Sequence, residues 1–92
     1  MALQITKETQ YGIDATYWNI KSFEKLSFKD KEVAVQLAGY KDKTQRAIGQ
    51  PLTHWWFHIN GDNFDFDYTD NITEKTYLKI KADENWIGAK DI

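Results

Sequence analysis

The sequence of 92 residues contains no cysteine, one proline and five glycines that are scattered along the chain. The absence of cysteine excludes a disulfide framework, a zinc site built from thiolates and a cysteine nucleophile. No cluster of glycines forms a phosphate-binding loop, and no serine lies in the glycine-framed elbow of a hydrolase. These absences predict a protein that is not an enzyme, with no catalytic residue, no cofactor and no metal.

Long apolar runs and an excess of positive charge are also missing. No window approaches 18 apolar residues, and the first residues, MALQI, lack the basic and apolar regions of a signal peptide. The formal net charge is -2, with a pI of about 5.6, and the basic residues are dispersed. We therefore expect a protein that folds in a cytosol and that binds neither nucleic acid nor a membrane.

Alternation of apolar and polar residues predicts strands in four parts of the chain. They cover residues 10–23, 31–40, 52–59 and 63–68, with a hairpin turn at 27–31 and a polar connection at 41–51. The first of these strands has large apolar groups on both faces. This pattern indicates either a strand covered on both sides or a bulge near Tyr17 and Trp18 that switches the faces.

The last third of the chain contains a helix signal. Asn71 is a suitable N-cap, and Glu74 stands at the third helical position, where a capping box places it. A helix from Ile72 to about Asp83 would have one face formed by Thr73, Tyr77 and Ile80. The sequence therefore predicts a single α+β domain over residues 1–92 that is mainly β. We expect a small antiparallel sheet or sandwich of four or five strands with one C-terminal helix.

The aromatic run in the strand 52–59 is the most informative pattern for function. Period 2 places His54, Trp56 and His58 on the face opposite Trp55 and its apolar neighbours. An exposed aromatic ring rimmed by polar groups is typical of a partner or sugar site. The alternative is that a second layer or the helix covers Trp56. Trp18 and Tyr40 also fall opposite the main apolar sets of their strands, so the same choice applies to them.

Two polar groups could in principle hold a cation. Residues 60–74 contain five acids, among them Asp65 and Asp67, and no lysine or arginine. Their spacing does not match a calcium loop, and a strand would spread them over about 15 Å, so we predict a charged outer face of an edge strand. His54 and His58 would be about 13 Å apart on a strand, too far to bind one metal ion.

Four segments resemble small proteins encoded in bacteriophage and prophage structural modules, near the tail genes. They are ALQITKETQYGIDATYWNI, VAVQLAGYKDK, GDNFDF and YLKIKADENWIGAKDI. The resemblance implies a non-enzymatic structural or assembly component of a phage particle, associated with the tail. Such a protein would reside in the host bacterial cytoplasm during assembly and then in the virion. Its partners would be other virion proteins or copies of itself in a homo-oligomer. The run Trp55-Trp56-Phe57 stands where similar proteins have a plain polar strand.

Two other functions fit the same residues. Exposed rings of Trp56 and Trp18 could stack on sugars in a carbohydrate- or cell-surface-binding module. A small phage regulator that binds a host protein is the second alternative. The residues that we select as interface or binding candidates are Trp18, Tyr40, Arg46, His54, Trp56, His58, Asp65 and Asp67.

Overall fold

The computed structural model describes residues 1–92 and consists of five strands, two α-helices and two short 3₁₀ turns. The 3₁₀ turns are Gly61–Asn63 and Glu84–Trp86. The strands and helices, in chain order, are β1 (Leu3–Glu8), β2 (Asp14–Ser27), β3 (Glu32–Tyr40), α1 (Lys43–Ile48), β4 (Thr53–Asn60), α2 (Ile72–Ala82) and β5 (Lys90–Asp91).

The strands form one open sheet in the order β4-β3-β2-β1-β5, and every neighbouring pair is antiparallel. The α+β class, the antiparallel sheet and the C-terminal helix that the sequence predicts are confirmed. The structure has a single sheet rather than a sandwich, because α2 and the segments around it cover the core face. No helix combines the length and the apolar character that crossing a bilayer requires.

The N-terminal strands differ from the prediction. The predicted strand 10–23 starts too early, because residues 9–12 form a turn in which the Gly12 N–H donates to the Thr9 carbonyl at 3.1 Å. The strand then continues to Ser27, and residues 3–8 form a strand that the alternation pattern did not indicate. The register of β2 against β1 shifts between Tyr17 and Ala15, and both Ala15 and Trp18 lie in the core, so the faces switch next to the predicted bulge. Further irregularities, against β3, lie between Ile20 and Lys25.

The core lies between one face of the sheet and α2. Its largest fully buried side chains are Trp18, Trp86, Leu3, Leu37, Ile80, Val33 and Val35. The Tyr77 hydroxyl accepts the Ile20 N–H at 2.8 Å and donates to the Met1 carbonyl at 3.0 Å, so it fastens the helix to the sheet. The predicted helix and its Asn71 cap are confirmed. Thr73 is exposed, and Thr76 occupies the buried face in its place.

The alternating segment 63–68 is not a strand, so that prediction was wrong. Phe64 and Phe66 insert into the core, while Tyr68 is 82% exposed and stacks on Phe28 at 4.2 Å between ring centroids. The Asp67 N–H donates to the Asp70 carboxylate at 2.7 Å. Such local bonds between side chain and backbone replace the hydrogen bonds of a ladder.

Candidate protein-protein interface

The outer face of the sheet, opposite the core, has one large exposed ring at its β4 end. Trp56 is 54% exposed, and His54 and His58 are exposed on the same face of β4. The predicted alternation of this strand is therefore confirmed, since Ile59 is buried and Trp55 and Phe57 pack against the core.

Two alanines and a glutamine of β3 lie beside this aromatic and imidazole row. Ala38 stands opposite His54, Gln36 opposite Trp56 and Ala34 opposite His58. Both alanines are buried although they point away from the core. The side chains around them therefore cover the two short methyl groups, whereas about half of the Trp56 ring stays exposed.

The electrostatics of this face depend on His54. Burial lowers the pKa of His54 from its ordinary value, and the nearby Lys21 ammonium lowers it further. The Lys21 Nζ lies 3.4 Å from the His54 Nε2, which accepts from it in the neutral tautomer that carries its proton on Nδ1. Both effects favour the neutral imidazole at His54, so the positive charge at this end of the face is the Lys21 ammonium.

The position of β4 at the end of the sheet leaves its backbone edge open to another chain. β4 is the terminal strand, so its outer edge has no neighbouring strand. A shallow groove runs along part of that edge, lined mainly by Phe57, His58, Ile59, Lys79, Ala82 and Asp83. The exposed ring and the unpaired edge together form what we call the β4 surface, defined by His54, Trp56, His58 and the free edge of Thr53–Asn60.

No family model, curated protein or solved structure matches this chain. The geometry of the β4 surface is thus the main indication of function, and the remaining candidate residues lie outside that surface.

Of the two alternatives that the sequence left open for Trp18 and Tyr40, the structure shows the covered one. Trp18 is 2% exposed, its indole N–H donates to the Ile5 carbonyl at 3.1 Å, and its ring contacts Trp86 edge to face at 5.1 Å between centroids. Tyr40 is 8% exposed and packs edge to face against Tyr17. Neither ring belongs to the β4 surface.

The structure places Arg46 apart from Trp56, on α1. The Asp42 side chain caps this short helix by accepting the Gln45 N–H at 2.9 Å, and Gly49 ends it in the left-handed conformation. Arg46 lines a depression with Asn19 and Tyr77, between α1, β2 and α2.

The two selected aspartates have structural contacts. Asp65 forms an ion pair with Lys79 at 2.8 Å, and the hydrogen bond from that ammonium is the largest cause that lowers the pKa of Asp65. Asp67 accepts the Thr69 N–H at 3.3 Å. The acids therefore do not form the outer face of an edge strand, which corrects that prediction. No group of three or more histidine, aspartate or glutamate side chains converges on a point that could hold a metal ion.

Sequence reasoning missed two features that matter for the site. The first is that β4 lies at the edge, because strand order depends on contacts far apart in the chain. The second is Gly39, which stands opposite Trp18 and leaves room for its ring. A glycine inside a strand pattern is the one local signal that could have indicated such a close approach.

Proposed function

We propose that this protein is a non-enzymatic structural or assembly component of a bacteriophage particle, associated with the tail, that acts through protein-protein contacts of its β4 surface. The observation that carries the proposal is Trp56, a large ring that is 54% exposed on an edge strand. The likeness of the sequence to small proteins of phage structural modules supplies the biological context.

The energetics favour a macromolecular partner for this ring. A tryptophan side chain has about 150–250 Å² to bury, so the exposed half of Trp56 represents roughly 100 Å². At about 25 cal/mol per Å², covering it would contribute about 2–3 kcal/mol. Aromatic rings of this kind are the anchors that dominate protein interfaces when a partner excludes water from them.

The test is genetic and structural. Deleting the gene from the phage should prevent the assembly of normal tails, as seen by electron microscopy, and mass spectrometry should detect the chain in purified particles or in tail intermediates. Complementation with Trp56→Ala should fail, whereas Leu78→Ala should restore tails, because Leu78 has the same exposure of 54% but lies on α2. Normal tails without the gene, together with no chain in particles or intermediates, would refute the proposal.

A carbohydrate- or cell-surface-binding module is the second candidate, because Trp56 with its two flanking imidazoles could stack on a sugar ring. Trp18 is buried, so this candidate now depends on one exposed tryptophan instead of two. Titrating the intrinsic fluorescence with host polysaccharides tests it. A saturable change that disappears in Trp56→Ala supports sugar binding, and an equal response in both proteins rejects it.

A further inference from the structure

Several stretches of strand edge in the sheet are unpaired, and they are protected to different degrees. β5 is two residues long and consists of Lys90 and Asp91. β2 extends beyond β1 from Asn19 onward, and this stretch contains Lys21, Glu24 and Lys25. Short strands and charged side chains are the usual means by which edges avoid pairing with other chains.

β4 has neither protection. Its eight residues, THWWFHIN, include no Lys, Arg, Asp, Glu or Pro. A long, uncharged and aromatic edge strand is a site at which another strand adds to the sheet. The question is then which strand fits this edge.

The backbone geometry shows which groups β4 offers to a new strand. The Gly61 N–H donates to the Lys31 carbonyl at 3.2 Å, and the register from Asn60 opposite Glu32 to Thr53 opposite Gly39 is uninterrupted. Hydrogen-bonded and non-hydrogen-bonded pairs alternate along an antiparallel ladder. The odd-numbered residues of β4 therefore bond to β3, and the even-numbered residues direct their N–H and C=O groups outward.

Three of the four outward-directed residues read the same in both directions. His54, Trp56 and His58 are symmetric about Trp56, and Asn60 lies beyond them at the end of the strand. If a second β4 lies antiparallel with Trp56 opposite Trp56, His54 of each copy stands opposite His58 of the other. On the other face, Trp55 meets Phe57. Residues directly opposite on a sheet interact with each other, and on the rows from residue 54 to residue 58 this register pairs ring with ring and imidazole with imidazole.

We infer that two copies of this chain pair through β4 about a two-fold axis that passes beside Trp56, which joins the two five-stranded sheets into one. This inference rests on the proposed function, since it names the partner of the β4 surface. Three of the outward-directed residues of each copy, His54, Trp56 and His58, would exchange about six backbone hydrogen bonds in this register. The contact is the same patch on both copies, as two-fold symmetry requires.

The experiment measures association of the purified full chain and locates it. Sedimentation velocity over a concentration series up to about 1 mM, which detects a dimer with a Kd in the millimolar range, should show the mass rising from 10.8 kDa towards twice that value. Trp56→Lys should weaken dimerisation by more than tenfold, because the two introduced ammonium groups would face each other across the axis. Leu78→Lys, which introduces the same charge at a position of the same exposure, should dimerise like the wild type.

Amide hydrogen exchange provides a readout that does not depend on any substitution. In dilute samples the amides of His54, Trp56 and His58 should exchange rapidly, and in concentrated samples they should become protected. The amides of Trp55 and Phe57 should be protected in both, because they bond to β3. Protection that changes elsewhere but not at these three amides would overturn the inference.

The remaining outcomes separate this inference from the proposed function. A chain that stays monomeric at every concentration, or a dimer that Trp56→Lys leaves intact, overturns the self-pairing. If tails nevertheless require Trp56, the proposed function stands and a strand of another virion protein occupies the edge. If the chain dimerises through β4 but tails form without it, the inference stands and the proposed function fails.

Discussion

Gly39 stands opposite Trp18 in the β2–β3 ladder, and the ring of Trp18 lies over its α-carbon. A Cβ atom at this position would be 2.6 Å from two atoms of the ring and 2.8 Å from a third. The perturbation that tests the packing of this core is therefore Gly39→Ala, the addition of a single methyl group. The backbone of Gly39 does not have a positive φ, so the substitution introduces no conformational strain of its own.

The cost follows from how far the ring would have to move. Ordinary contacts of a Cβ begin near 3.4 Å, so the ring must retreat by about 0.8 Å. Trp18 is held by its bond to the Ile5 carbonyl and by the edge of Trp86, and it is fully enclosed. Overpacking of this kind costs about 1–3 kcal/mol. Without the clash, alanine would stabilise a strand interior by about 0.5–1 kcal/mol relative to glycine.

A double-mutant cycle separates the two effects. The clashing atoms lie at the far end of the indole, so Trp18→Phe removes them. Gly39→Ala should destabilise the wild-type protein by about 1–3 kcal/mol, measured by urea unfolding, and should be neutral or stabilising in the Trp18→Phe background. The corresponding loss of melting temperature in the wild type is about 4–8 °C for each kcal/mol. If the methyl group costs the same in both backgrounds, or costs nothing in either, the described packing is refuted.

Two further predictions concern the core face and the outer face. Leu37 is fully buried, so Leu37→Ala should cost about 2–5 kcal/mol of unfolding free energy, whereas Gln36→Ala on the other face should change it by less than about 0.5 kcal/mol. A cost below that bound for Leu37 would show that the core face is misassigned. The lowered pKa of His54 means that the unfolded chain binds more protons just below the ordinary value of 6.5. The unfolding free energy should therefore fall as the pH drops through 6.5. Thermal unfolding across that pH range should show a smaller dependence of stability on pH in His54→Gln than in the wild type. An unchanged pH dependence would contradict the lowered pKa of His54.

The elements that the sequence predicts correctly are those whose signals are local. Asn71 accepts the Glu74 N–H at 3.1 Å, so the residues that mark the start of α2 are also the ones that cap it. β3 and β4 alternate because each has one face on the core, and their register places Val35 opposite Phe57 on that face. In these segments local preference and tertiary packing require the same pattern.

The segment 63–68 shows why alternation is not sufficient. Phe64 and Phe66 point into the core as strand residues would, but no neighbouring strand is available to bond their backbone. The carboxylates of Asp67 and Asp70 bond to nearby N–H groups instead. β1 fails in the opposite sense. Its side chains do alternate between covered and exposed positions along Leu3–Glu8, but Leu3 and Ile5 are its only apolar residues, so the signal is short.

The candidate site was predictable only in part, because the same pattern applies to Trp18 and to Trp56. Both stand opposite the stronger apolar set of their strands, yet one is 2% and the other 54% exposed. The difference comes from their neighbours. Gly39 opens space for the ring of Trp18 beneath Trp86, whereas Trp56 lies on the face that α2 does not cover. Gly39 and Trp86 are far from Trp18 in the sequence, and α2 is far from Trp56.

The edge position of β4 changes what the aromatic composition means. Trp18 and Tyr40 are buried, so of the aromatic candidates only Trp56 is exposed, on an edge strand that contains no charged residue. A residue beside a two-fold axis meets its own copy, so one substitution there acts on both sides of the contact at once. In the monomer the same side chain is exposed and costs little to replace. Substitutions of Trp56 should therefore weaken association and leave the stability of the monomer nearly unchanged, whereas substitution of a buried tryptophan would change both.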